Sequence, residues 1–368
     1  MIYVNEPLFI GNEKKYLNEC IDTGWISSEG PFVKKFEESF AEYIGVGHAV
    51  AVSNGTVAIE LALRALEFEE GSEVILPSHT IISCVTGILN CGLTPVLVDV
   101  DPHNWTIDVD QVRGKITKKT KVIMPVHMFG HSCDMDPLLS LAEKHGIIIL
   151  EDAAEVHGGK YKGQFCGNIG NIATFSFYAN KIITTGEGGM VVTNDADLAE
   201  KCRYYRNLCF QREQRFLHEH LGNNFRITNL QAAVGVAQVE VFDRLLTIKK
   251  RQGELYTAAF ENNQNFDIQK VEDWADHVYW VYGLLLKDSV NFDAKQWAKT
   301  LMDAGIQTRP FFWGIHEQPI LQRMGLFKNE SYPVTEKLSR RGLYVPSGLA
   351  LSEEQIGQVI KSVNKTFN

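Results

Sequence analysis

Ser176-Phe177-Tyr178-Ala179-Asn180-Lys181-Ile182-Ile183-Thr184-Thr185-Gly186-Glu187-Gly188-Gly189-Met190 sets one lysine between a strand candidate, Ala173–Phe177, and a glycine-rich turn. A lysine ammonium at neutral pH is a poor nucleophile. An imine bond to an aldehyde needs the amine partly desolvated or set beside another cation. Glycines in the turn let backbone approach a bulky ligand closely. Taken alone, the segment fits a surface lysine beside a hairpin turn equally well, because Lys near Gly is common. The decision lies in the sequence upstream.

Gly146-Ile147-Ile148-Ile149-Leu150-Glu151-Asp152-Ala153-Ala154-Glu155-Val156-His157 runs four apolar residues straight into two acids. The acids therefore stand at a strand's carboxyl end. A carboxylate there suits pyridoxal 5'-phosphate (PLP), whose pyridine nitrogen must stay protonated for the ring to accept electrons. A helix cap or a solvated loop acid is the plainer reading. Further upstream, Val52-Ser53-Asn54-Gly55-Thr56-Val57-Ala58 opens a helix candidate, Thr56–Leu66. Unpaired amides at a helix start form a phosphate cradle, although Asn-Gly-Thr by itself is usually only a cap. The order phosphate loop, strand-end Asp, Lys carries more weight than any one segment.

The rest of the first 245 residues alternates short Val- and Ile-rich runs with amphipathic stretches. Strand candidates are Glu73–Pro77, Pro95–Val100, Lys121–His127, Gly146–Glu151, Ala173–Phe177 and Gly189–Thr193; helix candidates include Pro137–His145 and Asp197–Arg206. This alternation predicts an α/β domain with a mostly parallel, buried sheet, its ligands beyond the strand carboxyl ends. After residue 245 the pattern fades into a long polar helix, Leu246–Asn262, an aromatic run, Val278–Tyr282, and helix candidates Ala294–Ala304 and Glu353–Phe367. The expected division is a large PLP-binding domain over 1–245 and a smaller C-terminal α+β domain over 246–368.

The chain has 368 residues, 45% of them hydrophobic, and a net charge of −9, with no dense Lys/Arg stripe. Nucleic acid is therefore not an expected partner. Seven scattered cysteines, with no CxxC pair, fit reduced thiols in a cytoplasmic protein and no metal site. No signal-peptide pattern and no apolar run long enough to span a bilayer stand out, so no membrane is expected.

Over nearly its whole length the chain resembles the DegT/DnrJ/EryC1/StrS sugar aminotransferases, which have the type I, aspartate-aminotransferase-like fold of PLP enzymes. The resemblance runs from Gly24-Trp25-Ile26-Ser27-Ser28-Glu29-Gly30 to the C-terminal helix. It includes Val126-His127-Met128-Phe129-Gly130, Asn180–Gly189, Asn224–Ala233 and Thr308-Arg309-Pro310. Within the family it is most similar to the GDP-perosamine synthases. The resemblance implies that Lys181 carries PLP as a Schiff base and that Asp152 partners the pyridine nitrogen. Glu155 then approaches the phenolic oxygen, and Gly55, Thr56 and Ser176 hold the phosphate. Asn224 reaches the phosphate of a neighbouring subunit, which implies a homodimer with shared sites. Trp25, Arg215, His218, Arg226 and Arg309 are candidate substrate contacts, with structural salt bridges the alternative for the arginines. Where the family usually stacks an aromatic residue on PLP, after Pro77-Ser78-His79-Thr80, this chain has Ile81; either Ile81 covers the ring or His79 or another group does.

The implied reaction moves the amino group of L-glutamate, through pyridoxamine phosphate, to C4 of a nucleotide-linked 4-keto-6-deoxyhexose. GDP-4-keto-6-deoxymannose giving GDP-perosamine is the first choice, and a dTDP- or UDP-linked acceptor the alternative. Relatives that dehydrate at C3 have His where this chain has Lys181, which disfavours a 3-dehydratase. A non-catalytic PLP-fold binding protein has only Ile81 in its favour. An NAD-dependent Rossmann enzyme lacks the GxGxxG that should follow the first strand.

Overall fold

The computed structural model describes residues 1–211 and 213–367. A seven-stranded sheet forms its larger part. Its strands are β1 (His48–Val52), β2 (Glu73–Pro77), β3 (Thr94–Val98), β4 (Thr120–Ile123) and β5 (Ile148–Asp152). Two two-residue strands follow, β6 (Lys160–Tyr161) and β7 (Gln164–Phe165), before β8 (Ile172–Ser176) and β9 (Gly189–Thr193) complete it. The order across the sheet is β1-β9-β8-β5-β4-β2-β3. Only β9 runs against the others, pairing antiparallel with both β1 and β8. The remaining pairs are parallel. Residues such as Val74, Leu76, Ile149, Leu150 and Val192 are fully buried, as strands covered on both faces require.

Glu73–Pro77 and Gly189–Thr193 occur with the expected bounds, and the other expected strands have ends shifted by one to four residues. β1 was not among them: His48-Ala49-Val50-Ala51-Val52 reads weakly because two of its five residues are alanine, a poor strand former. The helix after β1 spans Gly55–Ala65, and Asn54 caps it by accepting from the Val57 amide at 3.0 Å.

The long helix runs over Phe242–Phe260, starting four residues before the expected Leu246 and crossing residue 245. It leads into a four-stranded antiparallel sheet, β10-β12-β14-β13, built from β10 (Phe266–Ile268), β12 (Tyr282–Leu286), β13 (Arg309–Pro310) and β14 (Gly342–Val345). The two-residue β11 (Ala275–Asp276) instead joins β6 and β7. The aromatic run Val278–Tyr282 is mostly loop, with only Tyr282 entering a strand. Tyr256, Phe260, Phe266, Trp297 and Val359 form the core of this second unit. Ile2 belongs to that core too, and its amide donates to Gly305 O at 2.8 Å.

Candidate active site

Because β1, β2, β4, β5 and β8 are parallel, their carboxyl ends share one edge of the sheet, and the loops leaving them wall a cavity of about 330 Å³. That falls at the small end of ligand sites, which run about 300–1,000 Å³. The segment after β1 supplies Asn54, Gly55 and Thr56; the segment after β2 supplies Ile81 and Ser83. β5 supplies Asp152 and Glu155, and β8 with its loop supplies Ser176, Tyr178 and Lys181. Seven sequence-chosen residues therefore meet: Gly55, Thr56, Ile81, Asp152, Glu155, Ser176 and Lys181.

Lys181 lies over the face of Trp280, with Nζ 3.6 Å from the ring centroid. Burial pulls its ammonium below the ordinary lysine value, opposed by the carboxylates of Glu155 and Asp152. Glu155 is pushed up to about 7 by burial, against the pull of Lys181. Its Oε2 accepts the Phe129 amide at 2.9 Å. The cluster is thus an amine and two carboxylates lining one cavity, with Lys181 and Glu155 each shifted by burial and by the other's charge.

Asp152 uses both oxygens sparingly. Oδ1 accepts from the Ala154 amide at 3.1 Å, and Oδ2 accepts from the Cys84 thiol at 3.2 Å. A carboxylate offers about four acceptor positions, so half of them remain for another partner. The phosphate-cradle reading has a steric counterpart. A Cβ on Gly55 would stand 2.7 Å from Ser176 Cβ, so only glycine lets the helix start seat against the end of β8. Gly55 and Thr56 are the first helical residues, and their amides have no intrahelical acceptor. The Thr56 and Ser83 hydroxyls lie 2.8 Å apart at the same end. An anion-binding end, a carboxylate with spare acceptor capacity and a desolvated amine are the three features PLP requires, so the residues present fit it.

Of the two candidates for the face-on contact, Ile81 borders the cavity and His79 does not. Ile81 is 43% exposed and lines the cavity, whereas His79 is fully buried against Phe129, Phe311 and Phe312 and lies outside the lining. The second unit adds Trp280, Phe312 and Tyr344, which were not singled out in the sequence. Only the aromatic run containing Trp280 hinted at them.

The other candidates stand outside the cavity. Asn224 Oδ1 accepts from Arg226 Nε at 2.8 Å, and Arg226 lines a separate cavity with Ser28, Glu29 and Arg203. Arg215 stacks its guanidinium 5.1 Å from the Phe210 ring, and His218 Nδ1 lies 2.8 Å from Leu208 O. Trp25 is 51% exposed. Arg309 is exposed on β13, paired across the sheet with Tyr344, which does line the cavity.

Residues 9–364 match the model of the DegT/DnrJ/EryC1/StrS aminotransferase family. The chain belongs to that family. It is 41% identical over 369 residues to a GDP-perosamine synthase of Escherichia coli O157:H7, covering 100% of this chain and 99% of that protein. It is 37% identical over 368 residues to a GDP-perosamine synthase of Vibrio cholerae, covering 100% of both. Among solved structures, it superposes on the Helicobacter pylori aminotransferase PseC, involved in pseudoaminic acid biosynthesis, with a TM-score of 0.93. That match has 26% identity and covers 100% of this chain and 99% of the other. The fold is accordingly that of the PLP-dependent sugar aminotransferases, α/β with a mostly parallel central sheet. Among the described residues, no helix is long and apolar enough to cross a membrane.

Proposed function

We propose that this protein is a PLP-dependent aminotransferase that moves an amino group from L-glutamate to C4 of GDP-4-keto-6-deoxymannose, giving GDP-perosamine. The observation that carries the reading is the placement of Lys181 Nζ in the cavity, desolvated beside Asp152 and Glu155. Family membership and full-length identity to GDP-perosamine synthases supply the acceptor.

PLP, when bound, supplies an electron sink for the bonds at the reacting carbon. Asp152, with its free acceptor positions, holds the proton on the ring nitrogen. Gly55, Thr56 and Ser176 receive the phosphate. Ile81, which lines the cavity, would cover one side of the ring. Lys181 Nζ anchors the cofactor, then takes the proton from Cα of the amino donor and returns one at C4 of the sugar. Its lowered basicity suits both tasks, since a fully protonated ammonium cannot accept. Glu155, poised near neutrality, exchanges a proton with the phenolic oxygen. The walls Phe312, Trp280 and Tyr344 keep water from the reacting atoms.

Two copies share each site in this reading. Asn224, Arg226, Arg215, His218 and Trp25 stand outside their own cavity, as residues serving a neighbour's cavity would. Arg309, whose strand neighbour Tyr344 lines the cavity, is assigned to an anionic group of the substrate.

The test is a screen of nucleotide-linked 4-keto-6-deoxy sugars with glutamate, reading aminosugar by mass. The GDP sugar should be aminated by the native protein and not by Lys181→Ala, which also loses the visible colour of the loaded protein. Turnover with a dTDP or UDP sugar alone would replace the acceptor. Amine transfer by Lys181→Ala at the native rate would overturn the mechanism.

A further inference from the structure

The helix Ser83–Asn90 begins directly behind the cavity. Its first residue, Ser83, lines the cavity, while the next, Cys84, is fully buried behind Asp152. Cys84 Sγ lies 3.2 Å from Asp152 Oδ2 and 3.4 Å from Thr80 Oγ1. The directions of these bonds follow from chemistry. An ionised carboxylate only accepts, so the thiol donates to it. The sulfur's remaining capacity is as an acceptor, so the Thr80 hydroxyl donates to the sulfur. Burial, together with the nearby Asp152 carboxylate, pushes the Cys84 thiol well above its ordinary value, which keeps the S–H proton in place. The charged groups facing the thiol are Asp152 and Glu155, with Lys181 across the cavity.

We propose that Cys84, held by Thr80, is a positioning residue that fixes the orientation of Asp152 toward the ring nitrogen of the cofactor. With Oδ1 on the Ala154 amide and Oδ2 on the thiol, the carboxylate is held at both oxygens, which restricts its rotation. Without the thiol, rotation about the Cβ–Cγ bond is restrained at one oxygen only, and the terminal torsion of Asp is intrinsically soft. No other side chain donates to Asp152 among the described residues. This inference rests on the PLP reading above.

The test compares the affinity of the full-length protein for PLP with that for the PLP analogue carrying C–H in place of the ring nitrogen. A clamp acting through Asp152 matters only to the first ligand. In Cys84→Ala the preference for PLP over the analogue should fall about three- to tenfold, the worth of one ordinary hydrogen bond, since a thiol is a weak donor. Cys84→Ser, which keeps a donor, should restore it, and Thr80→Val should give a smaller loss in the same direction. An equal loss for both ligands in Cys84→Ala would mean only a packing defect and overturns the proposal, as does an unchanged preference. Should Cys84→Ala fail to fold, Thr80→Val decides: an unchanged preference there overturns the proposal. If the native protein binds no PLP at all, the functional reading fails first, and the two failures are distinct.

Discussion

Glu151 and Asp152 are consecutive acids at the end of β5, and both are buried. Strand geometry points them to opposite faces of the sheet. Glu151 is saturated. Its Oε2 accepts from His127 Nε2 at 2.9 Å and the Gly167 amide at 2.8 Å; its Oε1 accepts from the amides of Ile169 at 2.8 Å and Gly170 at 2.6 Å. The Cys133 amide donates to His127 Nδ1 at 3.0 Å, so that nitrogen carries the lone pair and Nε2–H faces the carboxylate. Burial alone would raise the Glu151 carboxyl, but His127 and these amides outweigh it and hold it below the usual range. Asp152, by contrast, accepts from one amide and one thiol and opens onto the cavity. The lesson is that burial of an acid says little about its role. The count of acceptor positions still free separates an acid that holds a loop from one with capacity left for a further partner.

That contrast yields opposite outcomes for neighbouring substitutions. Asp152→Asn keeps an acceptor for Ala154 and should leave stability within about 1 kcal/mol, while amine transfer falls by roughly 10³-fold or more, within the range for losing a proton-holding group. A variant with near-native turnover would break the assignment. Glu151→Ala should do the reverse. Removing one partner of a buried, fully bonded charge costs about 3–5 kcal/mol, read as a drop in the denaturation midpoint. The folded fraction should still bind PLP with native absorbance. If Glu151→Ala were stable and cofactor-free, the roles of the two acids would be exchanged.

Buried histidines extend the same accounting to pH. His127 is anchored at both nitrogens, whereas neither ring nitrogen of His79 or His157 has a side-chain partner. Burial pulls His79, His157 and His277 down to about 3 and His131 to about 4, from an ordinary 6.5. Below pH 6.5 the unfolded chain therefore binds protons that the fold refuses. Their contribution to stability is complete above pH 6.5 and is lost progressively as pH falls toward 3, at about 1.4 kcal/mol per pH unit for each group. Melting temperature should drop between pH 7 and pH 5, and less steeply in His79→Phe. An equal slope in that variant would remove His79 from the explanation. The smallest expected effect is at Ile81. Ile81→Tyr should slow PLP release on dialysis by about two- to tenfold, the worth of an aromatic contact. Faster release would mean that the aromatic side chain does not fit against the ring face.

The strand-ending acids, the lysine before its glycine turn and the Gly55-Thr56 helix start were all legible, because each is a local pattern. β1 was less so, since two of its five residues are alanine and its place depends on pairing with β9. Trp280, Phe312 and Tyr344 were not legible as site residues, since they lie far downstream of Lys181 and meet it only through packing of the second unit. Nor could the local pattern separate Glu151 from Asp152. Alternation puts the two acids on opposite faces, but which face holds the cavity depends on sheet order and on where residues 127 and 167–170 return. The sequence by itself determined that an acid and an amine follow strand ends and that a helix opens at Gly55-Thr56. Only the tertiary structure decided which acid keeps free acceptor positions, because saturation is a property of neighbours brought from elsewhere in the chain.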